Sequence, residues 1–254
     1  MKTLIDQSFV ETGRLLRRWP REQEVLTSTL ILPVLLLLMY QLVLNKFLSA
    51  STGVDAIYGF VPMIAVTGAM YGAMGTGLSL YAERESGLLR RFWVLPVHRS
   101  AGLIGRLIAE CGRTLIATVI VVALGVALGL RFQQGWSDAL GVLAVPVLLI
   151  PGFATMVISV GVTKAGNKVV QLFSAVVLLG MFFNSGFVPV ENYPGWLQPL
   201  VRIQPMSCAI EAMRGFIVGG PIATPLLQTI AWSAGLAAVF GALAVRGYRR
   251  AAES

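Results

Sequence analysis

Apolar residues run along this chain in six blocks of fifteen to twenty-four, divided by connecting segments of six to forty-one residues. The blocks cover 26–48, 58–81, 107–130, 139–162, 169–183 and 225–245. A helix that crosses a bilayer needs about 20 mostly apolar residues, so each block predicts a spanning helix. Prolines 33, 62, 146 and 151 fall inside blocks; membrane helices tolerate them because neighbouring helices take up the freed backbone groups. Ahead of the first block, Ile5, Phe9, Leu16 and Trp19 recur at helical spacing, with Asp6, Glu11, Arg14, Arg17 and Arg18 off that stripe. This pattern predicts an amphipathic helix over 1–25, lying in the headgroup layer or packed on protein, with Pro20 ending or kinking it.

Between the fifth and sixth blocks, residues 184–221 are apolar but divided by Pro189, Pro194, Pro199, Pro205 and Pro221 into pieces too short to span. Backbone that is not helical at membrane depth must be covered by protein. The expectation is therefore short helices dipping into one leaflet, with Tyr193 and Trp196 at the water boundary. The fold class expected is an all-α integral membrane domain. It has an interfacial segment 1–25, spans one to five over 26–183, a re-entrant outer segment 184–224, and the sixth span with its tail over 225–254. Glycines 68, 72, 75 and 77 would let the second span approach another helix closely, as at a dimer seam.

Composition supports the lipid-solvent reading: of 254 residues 56% are hydrophobic and only 13% charged. The net charge of +8 is explained by its distribution. Five Lys or Arg lie in 1–25, five in 82–106, two in 163–168 and three in 246–254, against four on the alternate turns (Lys46, Arg131, Arg202, Arg214). The excess of Lys and Arg in cytoplasmic loops puts both termini and 82–106 in the cytoplasm. No nucleic-acid module accompanies the charge. Two distant cysteines and one histidine exclude a His-based metal cluster and give no disulfide framework.

No phosphate-binding G-x-x-x-x-G-K-[ST] run is present, and neither is G-x-S-x-G or H-E-x-x-H. The chain is read as neither an enzyme nor a nucleotide binder. Glu110 and Arg113, three apart in the third span, share a helix face; a shallow structural pair is the plainer reading and a coupling or substrate role the other. The other unusual stretch is "ERESGLLRRFWVLPVHR", 83–99. The second span is expected to run to Glu85 and Gly87 to permit a sharp turn. A short helix over 88–95, stopped by Pro96, would then line up Leu88, Phe92 and Leu95, with Arg90 and Arg91 projecting elsewhere. Such a helix suits a groove on a soluble protein, or an interfacial turn held by lipid headgroups.

That stretch resembles the segment after the second span of ABC-2-type exporter permeases, where a glutamate-rich run forms a coupling helix. "QPMSCAIEAMRG" (204–215) and "FVPVENYPGWLQPL" (187–200) are similar to that family's signature ahead of the last span and to its extracellular re-entrant segment. More narrowly, "RRFWVLPVHRSAGLIGR", "YPGWLQP", "AMRGF" and "GYRRA" resemble the daunorubicin-resistance type. Gln204 stands where many relatives have Asn, and Arg90 and Arg91 where others carry an acid.

The resemblance implies an exporter half in the plasma membrane. Two permease subunits, a sister or a second copy, pair above a dimer of ABC ATPase subunits that hold ATP and Mg. Coupling would run through Glu83, Arg84, Glu85, Gly87, Leu88, Arg90, Arg91, Phe92 and Pro96. An outer gate would involve Pro189, Tyr193, Trp196, Pro205, Glu211 and Arg214. The cargo implied is a lipid or hydrophobic amphiphile, with complex cell-envelope lipids favoured by the narrower match and drugs the other class. The alternative is an ATPase-independent channel or scaffold.

Overall fold

A computed structural model of the chain describes residues 4–21, 23–44, 56–87, 101–163 and 165–253. The chain begins with α1 (Leu4–Arg18) and a 3-10 turn Trp19–Arg21. A helical rod over 23–44 follows, α-helical in α2 (Gln23–Leu26) and α3 (Leu32–Met39) and π-helical over Thr27–Ile31 and Tyr40–Leu44. Then come α4 (Ile57–Glu85), α5 (Ala101–Ala127), α6 (Asp138–Gly161) and α7 (Gly166–Phe182). The chain closes with α8 (Gln198–Ile203), α9 (Pro205–Val218) and α10 (Ala223–Glu253).

The described parts of the six expected spans are largely helical, but the helices are not equally long. Among the described residues, Ile57–Glu85, Gly102–Ala127, Asp138–Gly161 and Ala223–Gly247 are long and apolar enough to cross a membrane. Thr29–Val43 and Gly166–Phe182 are apolar but shorter. At 1.5 Å per residue, a 17-residue helix spans about 26 Å against a hydrocarbon core of about 30 Å. Pro33 accounts for the first of the two π turns. A proline ring clashes with the carbonyl four residues back, which here is Thr29, inside Thr27–Ile31.

Helix α4 forms the centre of the body. Phe60, Val61, Met63, Ile64 and Val66 are fully buried and pack with Leu149, Ile150, Ile210 and Met213 of α6 and α9. Lipid tails are as apolar as these side chains, so close packing and not the hydrophobic effect holds membrane helices together. Small residues make that approach possible. A methyl group added at Gly68 would lie 2.8 Å from Pro33, at Gly72 2.7 Å from the Thr29 hydroxyl, and at Gly77 2.5 Å from Val157. The glycine face expected at a dimer seam is thus occupied by helices of the same chain. At Gly152 the α6 backbone meets α10 so closely that an added Cβ would sit 2.1 Å from the Ser233 carbonyl oxygen. The Ser233 hydroxyl accepts a hydrogen bond from Gly152 N–H at 3.1 Å.

The helices sort the turns into two ends. At one end Leu80, Leu103, Ile158, Val162 and Ala244 form a cluster, and α1 lies beside the start of α5. The start of the chain and the later part of α10 therefore gather with residues 80–87 and 101–106. At the opposite end Gln133 N–H donates to the Ile217 carbonyl at 2.9 Å, and Gly59 abuts Gly186.

The face of α1 that meets protein differs from its apolar stripe. Ser8, Thr12 and Leu15, with Trp19 just beyond, are buried. The Thr12 hydroxyl donates to the Gly105 carbonyl at 3.1 Å. Small hydroxyl residues let α1 close on Gly105, where an added Cβ would meet Glu11 at 2.8 Å. Ile5, Phe9 and Val10 are left more than 60% exposed. Trp19 belongs to the buried side and not to the stripe with Ile5 and Phe9.

Candidate functional site

Helix α4 ends at Glu85, as its apolar run predicts. Ser86 and Gly87 close it with N–H bonds to Ala82 and Arg84, both 3.0 Å. Gly87 has φ +70°, a left-handed conformation that glycine adopts without a Cβ clash. The chain thus leaves α4 by a sharp turn. Leu88, Arg90, Arg91, Phe92 and Pro96 lie outside the described residues.

Glu83 is not a surface group. It is 4% exposed and accepts bonds from Arg106 of α5 and from Arg18, the latter at 3.3 Å. One carboxylate therefore joins α4, α5 and the end of α1. Arg106 is 2% exposed. The aliphatic stem of a buried arginine adds packing to the charge contact. Arg84 contacts Glu85 at 3.3 Å, with the Arg84 side chain 13% and the Glu85 side chain 55% exposed. Glu85 is thus the accessible carboxylate of this turn. On α1, Arg14 holds Glu11 at 2.6 Å, and that hydrogen bond raises the guanidinium pKa above its ordinary value.

Seven residues further along α5 from Arg106, a second charged layer repeats the arrangement. Arg113 contacts Glu110 at 2.5 Å, both almost fully buried. Thr76 of α4 donates to Glu110 at 2.7 Å and lies 3.0 Å from an Arg113 nitrogen. Glu110 lies about 14 Å along the helix from Ala101, deeper than the first turns. A lone charge at mid-bilayer costs roughly 2.5–3.5 kcal/mol on insertion scales; pairing removes most of the reason for that cost. Thr76 completes the polar layer, and single-helix periodicity gives no sign of it.

At the other end, the reversal after α7 is built on Asn184, which is fully buried. Its amide donates to the Gly180 carbonyl at 3.1 Å and to that of Met181 at 2.5 Å. Its oxygen accepts from the N–H groups of Gly186 and Phe187, at 2.7 and 3.1 Å. The Tyr193 hydroxyl adds bonds to the Phe182 and Asn184 carbonyls, both 3.1 Å. Burial pushes its pKa up. Pro189 leads into a 3-10 turn Val190–Asn192, and Pro205 starts α9. Trp196 is 79% exposed. Glu211 and Arg214 pair at 3.0 Å, and Arg214 also donates to the Ser185 carbonyl at 2.9 Å. The structure thus joins Arg214 to the turn at Ser185 and Tyr193 to the turn at Asn184, while Trp196 stands apart.

The sequence has counterparts among known proteins. Residues 6–218 match the family described as ABC-2 type transporter. The chain belongs to that family. It is 40% identical over 250 residues to "Probable doxorubicin resistance ABC transporter permease protein DrrC" of Mycobacterium tuberculosis, covering 98% of this chain and 91% of the relative. It is 32% identical over 227 residues to the daunorubicin resistance ABC transporter permease protein DrrB1 of Streptomyces coeruleorubidus, covering 88% and 79%. The doxorubicin resistance permease DrrB of M. tuberculosis is 26% identical over 236 residues, covering 83% and 78%. As an ABC-2 permease with apolar helices of spanning length, the protein is a multi-pass integral membrane protein.

Proposed function

We propose that this ABC-2 permease is the membrane half of an ATP-driven exporter of hydrophobic amphiphiles. ATP and Mg would be held by a separate ABC ATPase dimer. A second permease, a sister or another copy, completes the conduit, and the basic end faces the cytoplasm of a plasma-membrane complex. The observation that carries this reading is the buried Glu83 carboxylate, shared by α4, α5 and Arg18. Force applied to the segment beyond Gly87 enters a joint that moves three elements together. In this reading Glu83 is a positioning residue, while Glu85 with Leu88, Arg90, Arg91 and Phe92 offers the contact surface.

The relatives' names concern doxorubicin and daunorubicin resistance, which supports a drug as the cargo class; a membrane lipid is the other amphiphile proposed. A cavity of about 380 Å³ between α3, α4 and α7 supports an apolar cargo. It is lined by Leu36, Tyr40, Tyr71, Met181, Phe182 and Phe187.

The test is reconstitution in vesicles with the cognate ATPase and, if the pair is heteromeric, the sister permease. Cargo efflux should require ATP, and Glu85→Ala should lower ATPase recovery in a pull-down. Glu83→Gln should keep that recovery yet reduce efflux roughly tenfold, the rate equivalent of about 1.4 kcal/mol. Efflux that persists without any ATPase would refute the exporter and favour the channel.

A further inference from the structure

The outer end contains a second cavity, of about 510 Å³, bounded by the 185–191 turn, α8, one side of α9 and the first turn of α10. Small-molecule sites commonly occupy 300–1,000 Å³. What distinguishes this one is its charge. Glu191 and Arg202 face each other at 3.8 Å with side chains 74% and 66% exposed. Glu211 and Arg214 form a closer pair at 3.0 Å, 38% and 31% exposed. All four line the cavity. Ser185 lines it too; it is 1% exposed and its buried hydroxyl has no hydrogen-bond partner.

Two carboxylates and two guanidiniums make the lining neutral overall but divided locally. An anion alone would meet both glutamates, and a cation alone both arginines. A ligand carrying both signs a few bonds apart meets a complement for each. The guanidinium fork matches phosphate oxygens, and a carboxylate matches an ammonium group. At 3.8 Å the Glu191–Arg202 pair is loose and solvated; exposed pairs of this kind contribute little to stability, so both groups can turn to a ligand at small cost. A buried hydroxyl without a partner is costly unless something fills its hydrogen bond. Exposed Trp136 and Trp196 mark this end as the level of the headgroups, where tryptophan concentrates.

We propose that this cavity binds a zwitterionic phosphate–ammonium head of the phosphoethanolamine type. Arg202 and Arg214 take the phosphate, Glu191 and Glu211 the ammonium, and Ser185 a phosphate oxygen. The head could arrive on a membrane lipid or as a free ester. The site depends on the geometry of the outer end alone and stands whether or not an ATPase drives the chain.

The experiment measures binding to the full chain in detergent micelles with three probes: dioctanoyl phosphatidylethanolamine, dioctanoyl phosphatidylglycerol with the same tails but a purely anionic head, and free phosphoethanolamine. The zwitterionic lipid should bind at least about fivefold tighter than the anionic one. The double variant Glu191→Gln with Arg202→Gln should weaken it by roughly fivefold to tenfold, and Ser185→Ala by about threefold. Phosphatidylglycerol shares the phosphate but not the ammonium, so Ser185→Ala should weaken its binding by a similar factor. Ser185→Ala removes no existing hydrogen bond, so it reports on the site even if the double variant folds poorly. Competition by free phosphoethanolamine identifies the head itself as the ligand, and its failure to compete identifies the lipid; either upholds the chemistry. Equal affinity for the two lipids, or unaltered affinity in Ser185→Ala and the double variant, overturns it.

Discussion

At the basic end, Glu83 and Arg106, both nearly sealed from solvent, join α4 to α5, with the partly exposed Arg18 as a third member. At the opposite end, Asn184 closes the chain reversal with bonds to four backbone groups and no formal charge, while the ion pairs there are partly or largely exposed. The two solutions differ in what happens when one partner leaves. A buried charge deprived of its counter-charge is strongly destabilised, so the basic end keeps its joint or loses it as a whole. A neutral amide network loses its bonds one at a time. An exposed pair barely contributes. The end expected to receive mechanical input is therefore also the one with the stiffest connections.

Substitutions should rank accordingly. Glu83→Ala takes the carboxylate from Arg106 inside the body and should lower stability by about 3–5 kcal/mol, read as a drop in melting temperature in detergent. Adding Arg106→Gln should recover part of that loss; no recovery would mean the two side chains are not energetically coupled. Asn184→Ala should cost about 1–3 kcal/mol, the penalty of leaving buried backbone groups unpaired. Its hydrogen-exchange signature should be confined to 180–187, with 80–87 and 101–113 unchanged. Arg202→Gln at the exposed Glu191 pair should change stability by less than about 1 kcal/mol; a larger shift would mean that the outer pairs are structural after all.

Much of the helical framework is legible in the residues. The apolar run ending at Tyr81 and the glycine at 87 predict where α4 stops and turns, because helix length and φ preference are local properties. The spacing of Glu110 and Arg113 likewise predicts a shared face. What lies across helices is not legible. Glu83 sits among charged neighbours and so resembles a surface group, and its partner Arg106 is 23 positions away. Asn184 reads as an ordinary turn residue until its four backbone partners are seen. On α1 the apolar stripe suggests one face, yet the contact is made by Ser8 and Thr12, since closeness to Gly105 favours small side chains. Periodicity reports which residues share a side. It does not report which neighbour that side meets.

The near-touching backbones at Gly152 and Ser233 have a mechanical corollary. Two rods clasped at that separation cannot slip past each other without first parting, and α10 packs more extensively on α6 than any other pair of elements in the described body. Such a clasp would make them one stiff beam reaching from the start of α10 towards the tail. Bending would then fall more readily on the rod over 23–44, whose π turns already depart from regular winding.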